Sequence, residues 1–426
     1  MRTKLVVVLI AFGAMAVPQT ASADVVTDWN ATMVNALLVA HTAPQPGTRI
    51  GAIVQTSVFD AVNGIARRYT QVHPEVLGAT APRGASKPAA AAAAAYTALL
   101  ALFPAQKSTF DAQLAASLAQ ISDDDDDGPG QSVVRGLAWG TTVANAILAW
   151  RTSDGFTAVL PPYVIGALPY WQPTPPAFAM PVFRQFATMT PWAMSSSGQF
   201  LPGPPPALTS KQYADDFNET RLLGNAATAT AANIATARFW NGTFDTVATM
   251  WNRAADALAA DHPVQLVDSA RRFALLNISM ADAVIAVWNA KNVYNAWRPL
   301  TAIRHADIDG NDATTLDATW TPVLTTPAHQ EYPSGHSGVS SAAVTQLASF
   351  YGNATPFTMT SDGIAGGAAR TYASFSDAIA EVALARIAAG IHFRFSCTVA
   401  AQMGSSVADY VTATQMARVH GNGSGD

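Results

Sequence analysis

Three short segments of the sequence combine residues that could hold an oxyanion and act on it. The first runs from Lys291 to Pro299 and includes Arg298, the second is Pro333-Ser334-Gly335-His336, and the third runs from Arg386 to His392. Together they supply three cationic side chains, a hydroxyl, a glycine amide and two histidines. Cations and N–H donors neutralise a tetrahedral oxyanion, and histidine can carry a proton or act as a nucleophile. The segments, taken as an ordered set, therefore predict an oxyanion site.

The first segment places two long cationic side chains at a helical spacing. Lys291 and Arg298 are seven residues apart, and seven residues turn an α-helix through nearly two full turns. We therefore expect both side chains on one helix face, close to the end that Pro299 imposes. Taken alone, the pair also fits a solvated pair of charges on an exposed helix.

The second segment has the pattern of a helix N-terminus. Ser334 suits the N-cap position, and Gly335 allows the backbone to approach a ligand closely. Free N–H groups and the positive end of the helix dipole favour an anion there. His336 would lie in the first turn of the apolar helix that we expect to begin near Gly338. The alternative is an ordinary serine-capped helix with a surface histidine.

The third segment requires a break in its helix if it is to serve the same site. Arg386 and His392 are six residues apart and would point about 120° apart on a continuous helix. Gly390 can end the helix between them, so that His392 approaches from the turn beyond. The alternative is an arginine at a helix end and an unrelated core histidine.

The ordered set resembles the vanadium-dependent haloperoxidase and type 2 phosphatidic acid phosphatase superfamily. Its pattern is Lys-x6-Arg-Pro, then Pro-Ser-Gly-His, then Ser-Arg-x5-His-x3-Asp. The first two blocks are complete in this chain, and the third departs from the pattern at Ala385, in place of serine, and at Ser396, in place of aspartate. Both departures concern groups that orient the anion ligands, chiefly His392, more than the ligands themselves. The resemblance covers roughly residues 265–396.

The resemblance implies an all-α fold of two helical bundles and a role for each motif residue. His392 would bind vanadate through a ring nitrogen, or attack phosphorus as a nucleophile, and His336 would be the general acid–base. The groups implied to hold the anion oxygens are Lys291, Arg298, Ser334, Gly335 and Arg386. With vanadate as cofactor, hydrogen peroxide, polarised by Lys291, would oxidise bromide or chloride to hypohalous acid, which would react with a small organic acceptor.

Three features favour the haloperoxidase over the phosphatase branch. The chain is long for the small bacterial phosphatases of the superfamily, and its proline- and aromatic-rich segment could wall off a pocket. Trp288 falls where some haloperoxidases place an aromatic residue near the metal. Separately, His329 falls where the family varies between an aromatic residue and histidine, and histidine there resembles brominating members. Two alternatives remain: an acid phosphatase that binds phosphate and acts through a phosphohistidine, and a secreted oxyanion-binding protein without turnover, which Ala385 and Ser396 leave open.

The elements that would carry these residues are predicted to be helical on both sides of one long connection. Helical spacing or composition indicates helices in residues 24–64, 88–103, 109–121, 131–150, 265–297, 338–351 and 376–389. Residues 154–210 are dense in proline and aromatics and should lack helical continuity. The predicted units are therefore an N-terminal helical half at 24–153, a crossover at 154–210, which could form the rim of an active-site cavity, and a C-terminal half with the site at 211–420.

Composition limits the remaining possibilities. The chain has 426 residues, 50% of them hydrophobic, and a net charge of −5, so it can bury a large core. Because no basic stretch interleaves with aromatic residues, nucleic acid is not an expected partner. The single cysteine, Cys397, excludes an internal disulfide and is expected to be a buried hydrophobe rather than a ligand.

The N-terminus is typical of an export signal. Arg2 and Lys4 precede the apolar stretch from Leu5 to Val17, and Ala21-Ser22-Ala23 forms a small-residue cleavage site. We therefore expect residues 1–23 to be removed and the protein to be secreted or periplasmic. We expect no stable membrane anchor after cleavage, because Ala89–Phe103, taken as the longest remaining apolar stretch, is too short to span a bilayer. The run Asp123–Asp127 lacks the spacing of a calcium loop and is expected to be a solvated connection.

Overall fold

The computed structural model describes residues 24–72, 79–121 and 130–419. The predicted signal sequence and the run Asp123–Asp127 lie outside these residues. The helices of the N-terminal half are α1 (Val25–Val39), α2 (Pro44–Ala66), α3 (Lys87–Leu102), α4 (Lys107–Ala119) and α5 (Gln131–Arg151). Those that follow are α6 (Lys211–Leu223), α7 (Ala231–Phe239), α8 (Val247–Asp261), α9 (Leu266–Tyr294), α10 (Pro299–Arg304), α11 (Gly335–Tyr351), α12 (Phe375–Ala388) and α13 (Arg394–Thr414). The all-α prediction is confirmed.

Helix α9 is the central element of the molecule. Its side chains are apolar on nearly every face, and it packs against α2 from the N-terminal half and against α11 and α13 from the C-terminal half. A helix that is hydrophobic all round must be enclosed by others. By length and composition α9 could cross a membrane, which the sequence reading overlooked, but 94% of its apolar window is buried inside the protein.

The N-terminal half is built on closely approaching small residues. The alanine-rich helix α3 lies between α2 and α5, and its residues Ala89–Ala95 are all buried. Alanine combines the highest helix propensity with a side chain small enough to allow close helix packing. The predicted helix at 88–103 is therefore confirmed, and it is a core element.

In the C-terminal half, α11 and α13 pack backbone to backbone. A Cβ atom placed on Gly404 of α13 would lie 2.0 Å from the carbonyl oxygen of Gly338 on α11, so glycine is required there. Helix α13 begins directly after His392, and α11 begins with the Ser334 motif. Their close contact brings the second and third sequence motifs together.

The crossover, residues 154–210, contains no α-helix, only the 3₁₀ turn Arg184–Thr188, as predicted. It is anchored by one buried carboxylate on α9. Asp282 accepts hydrogen bonds from the backbone N–H groups of Trp192, Ala193 and Met194 at 2.7, 2.9 and 3.0 Å. These bonds satisfy backbone groups that would otherwise be buried without partners.

Two features of the fold were not predicted. An antiparallel hairpin pairs β1 (Phe357–Ser361) with β2 (Ala368–Tyr372). The residues of β1 alternate between buried and exposed, a strand pattern that is only five residues long. A continuous hydrophobic core also runs through both halves, from Val26 on α1 to Met416 after α13. The unit boundaries at 153 and 210 stay predictions.

Candidate active site

Lys291 enters the site from the last turn of α9. Its side chain is 0% exposed, and its ammonium donates to the carbonyl oxygens of Gln330 and Glu331 at 2.6 and 3.0 Å. It also lies 5.7 Å from the centre of the Trp288 ring, one turn earlier on the same helix. Lys291 is therefore held against the backbone segment that leads into the Ser334 motif.

Arg298 reaches the site by a route that the sequence did not predict. Helix α9 ends at Tyr294, with Asn295 in the left-handed conformation at φ 47°, and Arg298 is the N-cap of α10. The prediction of a helix to residue 297, with Lys291 and Arg298 on a shared face, is wrong. Arg298 instead donates to the carbonyl oxygens of His329 and Ile391, at 2.7 and 2.8 Å, from beyond the turn.

The second motif forms the N-terminus of α11, as predicted. Ser334 is the N-cap and its side chain accepts from the backbone of Ser337; the helix begins at Gly335, three residues before the expected Gly338. Gly335 lies against the Trp288 indole, where an added Cβ would be 3.3 Å away. His336 is half-buried at the wall of a cavity.

The helix break predicted in the third motif is present. Helix α12 ends at Ala388, and Gly390 has a φ of +74°, a conformation that favours glycine. Arg386 stays in the helix, fully buried, and donates to the carbonyl oxygen of Trp240 at 3.3 Å. Beyond the turn, His392 approaches Arg298, with 3.2 Å between its Nε2 and the Nη1 of that arginine.

Glu331 is a member of this cluster that the sequence reading missed. Its Oε1 lies 2.9 Å from Nδ1 of His392 and accepts the backbone N–H of Phe393 at 3.1 Å. The only sequence signal was a lone carboxylate two residues before Pro333. Ser396, at the position of the expected aspartate, instead donates to the backbone carbonyl of Glu331 at 3.4 Å.

The buried charges of the cluster are unbalanced. Burial lowers the pKa of Arg298 to about 9 and that of Arg386 to about 10, and burial together with Arg298 holds the pKa of Lys291 well below its usual value. Burial raises the pKa of Glu331, the carboxylate among them, to about 7. Because isolated buried cations are costly, this cluster has the charge to take up an anion.

The histidines of the cluster are held neutral. Burial lowers the pKa values of His329, His336 and His392 well below the usual value for histidine. The positive charges of neighbouring arginines and Lys291 lower them further. A neutral imidazole offers one N–H donor and one lone pair. The ring of His392 can therefore present a lone pair to an electrophilic centre.

A cavity of about 240 Å³ lies beside the cluster. The motif residues in its wall are Trp288, His329, Gly335, His336, Arg386 and His392, whereas Lys291, Arg298 and Ser334 are buried behind this wall. Trp288 and His329 are neighbours there, with ring centres 5.1 Å apart. Most of the remaining wall is apolar, so the cavity combines a polar base with apolar sides.

Among the other parts of the chain that line the cavity, two lie before the C-terminal half. Val182 and Phe183 come from the crossover, and Pro44, Gln45 and Thr48 come from the start of α2. The hypothesis that the crossover forms the cavity rim is thus confirmed, whereas the contribution of the N-terminal half had no motif that could reveal it.

The site has the donor set of an anion site rather than that of a cation site. Within residues 24–72, 79–121 and 130–419, no group of three or more His, Cys, Asp or Glu side chains is arranged to hold a metal ion. Cys397 is buried, as expected, and burial raises the pKa of its thiol to about 11. Nε of Arg386 and Nε1 of Trp288 are buried without a hydrogen-bond partner. An oxyanion such as vanadate or phosphate fits these unpaired donors and the surplus of positive charge.

Known proteins share a domain and the overall fold with this chain. Residues 271–421 match a family model described as the VCPO second helical-bundle domain. The fold matches that of the first bacterial vanadium-dependent iodoperoxidase, with a TM-score of 0.77, 24% identity, and coverage of 92% of this chain and 97% of that one. It also matches a holo-type bacterial vanadium-dependent chloroperoxidase, with a TM-score of 0.66, 17% identity, and coverage of 93% and 94%.

An apo-type bacterial vanadium-dependent chloroperoxidase has a TM-score of 0.69 at 17% identity, over 87% of this chain and 94% of that one. A search of curated proteins finds no significant match by sequence. The C-terminal domain thus resembles the second helical bundle of that family model, and the whole chain shares the fold of these vanadium haloperoxidases.

Proposed function

We propose that this protein is a vanadate-dependent haloperoxidase, which uses hydrogen peroxide to oxidise a halide to hypohalous acid. The observation that carries the proposal is the cluster of Lys291, Arg298 and Arg386, three buried cations grouped around the neutral His392 at the base of a largely apolar cavity. Solved structures that share the fold include a vanadium iodoperoxidase and vanadium chloroperoxidases.

The residues of the cluster can divide the work of holding vanadate. Nδ1 of His392 is engaged by Glu331, so Nε2, which faces Nη1 of Arg298 at 3.2 Å, is the nitrogen that would bind vanadium. Arg298, Arg386 and Lys291, with the hydroxyl of Ser334 and the amide of Gly335, would neutralise the oxygens by charge-assisted hydrogen bonds. Vanadate, when bound, would act as a Lewis acid that activates hydrogen peroxide toward attack by a halide.

His336 is the proposed general acid–base. Its ring is at the cavity wall and interacts with the backbone of Trp240, so it is close to reactants while its orientation is restrained. At this position it can take a proton from incoming peroxide and return one to the leaving oxygen.

The apolar walls suit the halide and a small organic acceptor. Trp288 and His329 lie together beside the motif residues, and an apolar surrounding favours a large, weakly hydrated anion over a small one. With histidine at position 329, we propose bromide ahead of chloride. We also propose, from residues 1–23, that the protein works outside the cytoplasm.

The proposal is tested with purified protein freed of bound anions by dialysis. The protein is incubated with orthovanadate, hydrogen peroxide and chloride, bromide or iodide in turn, and halogenation of a phenolic dye is followed. We expect turnover that requires vanadate and that is lost in His392→Ala, which removes the nitrogen ligand. His305→Ala is the matched control, because His305 is exposed and does not line the cavity.

The same preparations distinguish the other two functions. Hydrolysis of p-nitrophenyl phosphate that vanadate inhibits, without halogenation, would assign the chain to the phosphatases. Vanadate binding without either activity would leave a binding protein, and the haloperoxidase proposal would be rejected in both cases.

A further inference from the structure

We propose that Glu331 is the positioning residue for His392 and takes over the part of the aspartate that the superfamily pattern places at Ser396. This inference rests on the proposed function, because it concerns how the vanadate ligand is oriented. It resolves the departure at position 396: the carboxylate is supplied by a different segment of the chain.

This carboxylate makes one hydrogen bond to His392 and one to the backbone that follows it. Oε1 of Glu331 lies 2.9 Å from Nδ1 of His392 and 3.1 Å from the backbone nitrogen of Phe393. His392 is 2% exposed and Glu331 is 0% exposed, so water does not compete for these bonds. Together they restrain both the imidazole ring and the backbone that carries it.

The contact decides which ring nitrogen is free. A carboxylate beside Nδ1 makes that nitrogen the N–H donor, so the lone pair of His392 lies on Nε2. Nε2 is on the side of Arg298, 3.2 Å from its Nη1, which is the side of the buried cations. A partner of this kind also raises the basicity of a ligating histidine.

Glu331 connects the histidine to a second part of the site. Its backbone carbonyl accepts from the ammonium of Lys291 at 3.0 Å, and its backbone N–H donates to Ala296 at 3.1 Å. The residue therefore fixes His392 through its side chain and Lys291 through its main chain. Only the first of these contacts depends on the carboxylate.

Ser396 is next to this contact, and a hydrogen bond from its side chain opposes the rise that burial causes in the pKa of Glu331. Its hydroxyl donates to the Glu331 carbonyl at 3.4 Å and makes no hydrogen bond to His392. Since the two residues touch, a carboxylate placed at 396 would enter the same buried space. The two positions are thus alternative sources of one negative charge.

The inference is tested by exchanging the carboxylate between the two positions. The variants are Glu331→Gln, Ser396→Asp and the double variant Glu331→Gln/Ser396→Asp. Asp216→Asn is the matched control, because Asp216 accepts the backbone N–H of Phe395 at 2.8 Å without touching His392. Binding of orthovanadate, and separately of inorganic phosphate, is measured by calorimetry without peroxide or halide.

We expect Glu331→Gln to bind vanadate about 10- to 100-fold more weakly, as for other partners of metal-bound histidines. The double variant should recover to within about threefold of the parent, and Asp216→Asn should be unchanged. ¹⁵N spectra of histidine-labelled protein, with the His392 signals identified by comparison with His392→Ala, should show a protonated Nδ1 in the parent and the double variant, and a mixture of tautomers in Glu331→Gln.

The inference would be overturned if Glu331→Gln bound vanadate within twofold of the parent. It would also be overturned if the double variant Glu331→Gln/Ser396→Asp did not recover the affinity lost in Glu331→Gln. Thermal unfolding identifies any variant that is not folded, and Glu331→Asp, which keeps the charge but shortens its reach, then takes the place of Glu331→Gln with the same expected direction. If the parent bound neither anion, the proposed function would fail, whereas the tautomer spectra would still decide the role of Glu331.

Discussion

At the scale of single residues, the two motif histidines of the cavity, His392 and His336, differ in what surrounds them. His392 has a buried carboxylate partner and a buried arginine, whereas His336 is half-buried and interacts with a backbone group at Trp240. We therefore expect His336→Ala to bind vanadate within about threefold of the parent and to lose turnover by about 10²- to 10⁴-fold, the usual contribution of a general acid–base. Calorimetry and halogenation rates measure the two effects separately. An equal loss of affinity and rate would show that His336 is a ligand instead.

At the scale of elements, the cavity depends on how the crossover is held to α9. Burial raises the pKa of Asp282, and the three backbone N–H donors and Arg151 oppose this rise. The charged form of Asp282 therefore depends on these partners. Asn in its place would turn an amide N–H₂ toward backbone N–H donors. We expect Asp282→Asn to lower the free energy of unfolding by about 2–4 kcal/mol, as measured by denaturant titration.

The matched control for this element is Asp215→Asn. Asp215 forms an exposed pair with Lys211 on one turn of α6, so its loss should change the free energy of unfolding by less than about 1 kcal/mol. Equal effects of the two substitutions would contradict the anchoring role of Asp282. A loss of stability in Asp282→Asn should also weaken vanadate binding, since the crossover carries Phe183 into the cavity wall.

At the scale of the whole molecule, a tightly bound oxyanion should stabilise the fold. The buried cations come from α9, the turn before α10, and α12, and they are brought together only in the folded chain. Orthovanadate at 100 times its dissociation constant should therefore raise the free energy of unfolding by about 2.7 kcal/mol. Thermal unfolding at increasing vanadate measures this, with sulfate at equal ionic strength as the control; an equal shift with sulfate would show a general salt effect.

The local elements were predictable because their signals are local. Alanine content identified α3, and Ser334 and Gly390 marked the start of α11 and the break after α12. The prediction failed between Lys291 and Arg298, where seven-residue spacing suggested one helix face. The chain leaves the helix at Asn295 and returns to the site through a turn, which lets Arg298 donate to the distant carbonyl groups of His329 and Ile391.

The sequence by itself determined the chemical groups of the site, because their types and their order along the chain carry that information before folding. Tertiary structure alone decided which carboxylate meets His392, since Glu331 and His392 are 61 residues apart and only packing can bring them within 2.9 Å. It also decided that α2 and the crossover enclose the cavity. Contacts of this kind arise from burial of the whole chain around α9, and no local pattern of residues encodes them.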